Sequence, residues 1–301
     1  MPISYSIEPT NHCNLQCPEC PSGLGSLTRP LGLLKISEFR QLIDQIKDTG
    51  FYVQLFFQGE PYINKDLPAM ISYAQSKNIY ISISTNGHFV NEKNVDYVLD
   101  NAPDKLIFSV DGLDEESYQK YRVGGTFAQA DNGLRALVNR KKERGLKKPF
   151  IEFQFIVMKQ NENQLEDVKK YCKQVGVDKL VFKTMQISSY ENAVKFLPSN
   201  KKFRRYTLAN NSFRIKHKIK NHCFALWRTS VITWDGRVVP CCFDKDAQNE
   251  IGVVNGRTFN EIWKSKEYYN FRNKVLSNRK SVSMCTNCTE GLKVNIFEIE
   301  Q

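Results

Sequence analysis

Six short runs of apolar, β-branched and aromatic residues punctuate the first 184 residues of the 301-residue chain: ISYSIE, FYVQLFF (51–57), IYISIS (79–84), KLIFSV (105–110), FIEFQFIV (150–157) and KLVFKT (179–184). Such runs read as strands. Between them lie stretches with helical spacing, among them ISEFRQLIDQIKDTG, LPAMISYAQSKN and NVDYVLDNA. In the first of these, Ser37 is expected to cap the helix and Gly50 to stop it. Strands that alternate with helices pair in parallel through right-handed crossovers. The fold class is therefore α/β, either an open doubly wound sheet or a partial barrel. In both, ligands collect beyond the C-terminal ends of the strands.

Those ends carry chemistry. The first strand leads into NHCNLQCPECPSG (11–23), which sets Cys13, Cys17 and Cys20 in a C-x3-C-x2-C pattern. The second ends in FQGEP (57–61), the third in STNG (84–87) and the fourth in SVDG (109–112). One such tetrapeptide is a plain turn signal. Four in step with a cysteine loop deliver glycine, carboxylate, amide and hydroxyl groups to one rim.

After residue 185 the strand–helix rhythm is lost. Ten of the 43 Lys and Arg residues fall between Asn192 and Trp234 with no Asp or Glu among them, so the remainder is nearly neutral. This basic segment is expected either to be a solvated linker or to attract an acidic partner. Beyond it TSVITWDGRVVPCC reads as a hairpin turning at Asp235-Gly236, and FNEIWKSKEYYNFRNKVL (259–276) as helical. No window approaches the roughly 18 apolar residues of a membrane span, and the N-terminus lacks a secretory pattern, so a cytoplasmic location is expected. In that compartment thiols stay reduced, and clustered cysteines point to metal or catalysis. Cys223, Cys241, Cys242, Cys285 and Cys288 form the second cluster; Cys172, alone in an amphipathic helix, reads as a packed thiol.

The cysteine loop after the first strand, with QGEP after the second, resembles the radical S-adenosylmethionine (SAM) superfamily. The resemblance implies a partial (β/α)6 barrel over residues 1–190, in which Cys13, Cys17 and Cys20 hold three irons of a [4Fe–4S] cluster and SAM chelates the fourth. It implies reductive cleavage of SAM to a 5′-deoxyadenosyl radical that abstracts a substrate hydrogen, with the electron coming from a donor such as flavodoxin or ferredoxin. Glu60 then accepts from the SAM ammonium, Gly59 permits close backbone approach, and Gln58 replaces a family glycine. Asn86 and Ser109 fall where relatives contact SAM, Arg122 is placed to pair with its carboxylate, and Val157 and Met158 are adenine-pocket candidates. Glu19 stands where the family usually has a large apolar residue. Cys223, Cys241, Cys285 and Cys288 resemble the SPASM/Twitch extension in its form with one auxiliary [4Fe–4S] cluster. They assign residues 221–301 to a small cysteine-rich α+β domain after a basic linker at 191–220, with Cys242 left as a buried thiol.

The substrate is open. Relatives with such extensions often modify peptides by oxidation, cross-linking or epimerisation, and the basic segment suits an acidic leader. The chain begins directly with the barrel, which leaves room for a small metabolite such as a sugar or aminocyclitol. A zinc-stabilised RNA-binding protein is a remote alternative. Asp111 is a candidate proton-transfer residue, with Asp235 and Asp244 as lesser ones. Tyr5 and Gln154 are candidate substrate contacts.

Overall fold

The computed structural model describes residues 1–216, 218–289 and 295–300. His217 of the basic run, and residues 290–294 and 301 of the cysteine-rich region, lie outside the described residues. The six runs form β1 (Ser4–Ile7), β2 (Tyr52–Gln54), β3 (Tyr80–Thr85), β4 (Lys105–Ser109), β5 (Phe150–Val157) and β6 (Lys179–Thr184). The basic stretch is folded: a helix Tyr190–Phe196 precedes a hairpin of β7 (Tyr206–Ala209) and β8 (Ser212–Ile215). Then come β9 (Thr229–Ile232), β10 (Arg237–Val239), β11 (Gly252–Val253) and β12 (Asn295–Glu300).

The chain forms two compact units. The first comprises Met1–Cys13, Gly25–Ile83 and Lys218–Gly291. In it β1 has β2 on one side and β9 on the other, both parallel, and β2 continues in parallel to β3. The hairpin expected at Asp235-Gly236 is present: β10 returns antiparallel to β9, and Gly236 takes the left-handed φ of +81°. The helix Ile36–Ile46 buries Phe39, Leu42, Ile43 and Ile46, a stripe at helical spacing in which each fully buried side chain is worth about 1.5–3 kcal/mol. It begins one residue ahead of Ser37, so Ser37 is not its cap. Instead Glu38 reaches back to the Lys35 N–H at 3.4 Å and Asp66 accepts the Ile36 N–H at 3.2 Å. The Ile46 carbonyl then collects the N–H groups of Thr49 and Gly50 at 3.0 and 2.7 Å. The helical stretch at 259–276 is two helices, Phe259–Trp263 and Lys266–Asn278, because Ser265 accepts the Tyr268 N–H at 3.2 Å and starts a new one.

The second unit comprises Asn14–Leu24, Ser84–His217 and Leu292–Gln301. Its strands run β4, β5, β6 in parallel, with β12 antiparallel against β6. Phe153 and Phe155 share one face of β5. Phe153 meets Tyr171 of helix Leu165–Val175 at 5.6 Å, and Phe155 meets Phe182 at 5.8 Å. Cys172 of that helix is fully buried, as its amphipathic setting suggests, and burial pushes its thiol well up. Alternation along a strand puts Glu152 and Gln154 on the opposite face, where Glu152 pairs with Lys105 at 2.6 Å.

Candidate active site

In the first unit, β1 runs out into a tightly tied loop. Thr10 Oγ1 donates to the Gly32 carbonyl at 2.8 Å, Asn11 Nδ2 donates to the Pro30 carbonyl at 2.8 Å, and Asn11 Oδ1 accepts the Gly32 N–H at 2.9 Å. Cys13, partly buried, follows directly. Gly59, after β2, sits at φ +76°, and a Cβ there would stand 2.5 Å from the His12 carbonyl oxygen and 2.6 Å from that of Thr10. The close approach that requires glycine is therefore to the cysteine loop's own backbone. Glu60 donates its N–H to the same His12 oxygen at 2.7 Å, is 2% exposed, and caps the turn after it through Tyr62 N–H at 3.3 Å. Gln58 is buried beside it, with its amide on the Phe57 carbonyl.

In the second unit, Cys17 is buried and Cys20 partly so, with the Cys20 N–H on the Cys17 carbonyl at 3.1 Å. This part of the loop is held by YRVGG: Gln16 N–H donates to the Val123 carbonyl at 2.7 Å. Asn86 donates to Asn14 Oδ1 at 2.8 Å and accepts the His88 N–H, and Ser109 lies 3.2 Å from Ser84 Oγ. Both follow or end their strands, as the sequence pattern requires. Arg122 places Nε and Nη2 on Asp111 Oδ2 at 2.7 and 2.6 Å, within the electrostatic reach of Cys17. Asp111 is fully buried and its other oxygen accepts the Ile156 N–H at 2.7 Å. Both oxygens are committed, so Asp111 suits an anchor for Arg122 better than a proton acceptor. Val157 and Met158 are fully buried, but strand parity groups Val157 with Phe153 and Phe155. Ile156 is the strand-end residue on the Gln154 face.

Glu19 has a local reason to be there: its Oε2 accepts the Ser188 N–H at 2.8 Å, just past β6. Tyr5 is corrected. It is 1% exposed, meets the Phe259 ring edge-on at 5.2 Å, and burial pushes its hydroxyl up to about 12, so it is core; Ser4 and Ser6 take the opposite face. Asp235 accepts from Thr233 Oγ1 and Arg237 and holds its hairpin, while Asp244 accepts the Gln248 and Asn249 N–H groups.

The later cysteines converge. Cys223, Cys285 and Cys288 are buried, Cys285 feels Cys223, and Cys241 feels Cys288. Cys242 is exposed, which corrects the expectation of a buried thiol; it lies in the turn after β10, against the Cys241 thiol. Three contributors escaped the sequence reading. Asn161 is fully buried and bonds the Met158 N–H and the carbonyls of Asp111 and Ile156. His88 accepts the Thr126 N–H at Nε2, and burial lowers its pKa. Arg279 donates to Cys288 Sγ at 3.2 Å. Only the Gly-His pair after STN hinted at any of them. A groove of about 550 Å3 between helix Ile36–Ile46 and the Asp235–Gly236 turn is lined by Asp235 but by none of the cysteines and none of the residues expected to bind SAM.

Donor chemistry thus suits iron–sulfur clusters, with soft thiols in both cysteine groups, while among the described residues no three or more His, Cys, Asp or Glu close on a single metal ion. Among the described residues no helix is long and apolar enough to cross a membrane. The radical SAM superfamily model matches residues 7–172, and the SPASM iron–sulfur cluster-binding domain matches 223–289. Both cysteine groups fall inside these matches, and nothing supports the zinc–RNA alternative. The chain is 24% identical over 313 residues to the tungsten-containing aldehyde ferredoxin oxidoreductase cofactor-modifying protein of Pyrococcus furiosus, covering 94% of this chain and 86% of that one. Among solved structures, BtrN in complex with AdoMet and 2-DOIA aligns over 99% of both chains with a TM-score of 0.61 at 15% identity. Native anSMEcpe with bound AdoMet and the Cp18Cys peptide aligns over 98% of this chain and 94% of that one, with a TM-score of 0.66 at 18% identity. The fold is accordingly the α/β partial barrel of these enzymes with a cysteine-rich C-terminal domain. The chain is an enzyme of the oxidoreductase or maturase type whose cofactors are SAM, a SAM-binding [4Fe–4S] cluster and an auxiliary iron–sulfur cluster, and it belongs to the radical SAM superfamily.

Proposed function

We propose that this enzyme modifies a peptide or protein by hydrogen abstraction, with Cys13, Cys17 and Cys20 as ligands of the SAM-binding cluster and Cys223, Cys241, Cys285 and Cys288 as ligands of one auxiliary cluster. When bound, the first cluster and SAM supply an electron and a hydrogen-abstracting radical; the protein supplies position and exclusion of water. Glu60, buried and fixed through its N–H, presents a carboxylate to the SAM ammonium. Asn86 and Ser109 offer an amide and a hydroxyl at neighbouring strand ends. Arg122 keeps its guanidinium in place through Asp111 and leaves Nη1 for a carboxylate. The observation that carries the cluster assignment is that Cys223, Cys285 and Cys288, up to 65 residues apart in the chain, gather at one buried arginine, with Cys241 in electrostatic reach of Cys288. The peptide reading draws support from the peptide bound in the anSMEcpe structure and from the ten cations between Asn192 and Trp234. The end-to-end match with BtrN, solved with 2-DOIA, supports the second reading, oxidation of a small metabolite.

The test is anaerobic turnover with a low-potential donor such as flavodoxin or ferredoxin. Acidic peptides and aminocyclitols, deuterated at candidate carbons, are offered in parallel. Deuterium appearing in 5′-deoxyadenosine from a peptide supports the first reading. Transfer from the aminocyclitol alone overturns it in favour of the second.

A further inference from the structure

We propose that Arg279 is a positioning residue that hydrogen-bonds a ligand sulfur of the auxiliary cluster and raises that cluster's reduction potential; this rests on the assignment of Cys223, Cys241, Cys285 and Cys288 to it. Arg279 is 3% exposed. Its Nη1 donates to the His222 carbonyl at 2.7 Å and the Lys220 carbonyl at 3.4 Å, and its backbone N–H donates to Asn221 Oδ1 at 3.1 Å. These bonds fix the segment that ends in Cys223. The other arm of the guanidinium, Nη2, donates to Cys288 Sγ at 3.2 Å. One planar fork therefore joins the chain entering the first of these cysteines to the sulfur of the last.

A buried cation needs an anion. Among the described residues no carboxylate forms an ion pair with Arg279. Burial works against its charge, while Cys288 and Cys223, and then hydrogen bonds to Cys288 and Cys285, favour it. Arginine cannot shed its proton to escape this cost, so the site is built for negatively charged sulfur. Reduction adds negative charge to a cluster, and hydrogen bonds to its sulfurs and a nearby cation favour the reduced form. A neutral residue at 279 removes both effects from the auxiliary cluster and leaves the SAM-binding cluster as an internal reference.

The experiment uses the full chain reconstituted anaerobically. Iron is counted, and the midpoint potential of each cluster is followed by electron paramagnetic resonance in the wild type, Arg279→Met and Arg279→Lys. In parallel, wild-type protein carrying [15N]arginine is examined for a nuclear coupling to the reduced auxiliary cluster. The expected result is about eight irons per chain and a 15N coupling in the wild type. Arg279→Met should make the auxiliary cluster about tenfold harder to reduce, about 59 mV for one electron, with Arg279→Lys between. A merely structural role would lower iron content without moving the potential of the cluster that remains. About eight irons with no coupling, or with an unmoved midpoint in iron-replete variants, overturns the proposal alone. If the variants lose iron, the wild-type coupling decides. About four irons in the wild type refutes the auxiliary-cluster assignment itself.

Discussion

Replacing Gly59 by alanine isolates what the glycine after β2 does. Two costs combine there. A left-handed conformation costs an L-residue about 1–2 kcal/mol, and Gly59 has a φ of +76°. The added Cβ also falls 2.5 Å from the His12 carbonyl oxygen and 2.6 Å from the Thr10 oxygen, both main-chain atoms of a loop pinned by Asn11 and Thr10. Relieving that overlap costs about 1–3 kcal/mol as overpacking. It also pulls apart the bond from Glu60 N–H to the His12 oxygen, about 1 kcal/mol net. The sum is about 3–6 kcal/mol. Gly25→Ala is the control, because Gly25 has a φ of +62° and nothing within 4 Å of its Cβ; it should lose only the conformational part. Urea unfolding of both variants, with equal slopes required, measures the difference. Losses within about 0.5 kcal/mol of each other would refute the claim that Gly59 is packed against the cysteine loop, for which typical error is a few tenths of a kcal/mol.

The Arg29–Glu8 pair, at 2.5 and 2.6 Å and essentially unexposed, should lose about 3–5 kcal/mol on Glu8→Gln or Arg29→Met alone. The double variant should recover much of that in the same urea assay, and simple additivity would contradict the pairing. His88 has a pKa lowered by burial from 6.5, so the folded state binds fewer protons than the unfolded chain. Its contribution to stability is therefore full above about 6.5 and is lost as pH falls through the depressed folded value; His88→Gln should flatten that acid limb in urea titrations across pH 5–8. Cys242→Ser should keep its full complement of iron, whereas Cys241→Ser should lose about four irons per chain, and equal losses would contradict the ligand set.

All six parallel strands were legible because β-branched runs bounded by turn residues admit few other readings, and the motifs fell at the strand ends where such a fold puts its ligands. Single side chains were less legible. The orientation of Tyr5 depends on strand parity, which a four-residue strand flanked by Ile3 and Glu8 does not announce. Ser37 looked like a cap, yet the cap was supplied by Glu38 and by Asp66, a residue remote in sequence. Strand β12 follows a long cysteine-rich region and pairs with β6, over a hundred residues earlier. Asn161 and Arg279 carry no pattern of their own; each matters because folding brings it to a carbonyl or a sulfur from elsewhere in the chain. Cys242 lies outside the four-cysteine spacing, and spacing carries no information about exposure.

The most direct test is whether Cys13, Cys17 and Cys20 hold a cluster that offers an iron to SAM. Reduced, reconstituted protein is frozen with SAM labelled with 15N at its amino group, and the coupling of that nitrogen to the cluster is measured by pulsed paramagnetic resonance, with Cys17→Ala alongside. A 15N coupling in the wild type that vanishes in Cys17→Ala is the predicted result. Wild-type protein with both clusters filled and no coupling to the labelled amine would contradict it.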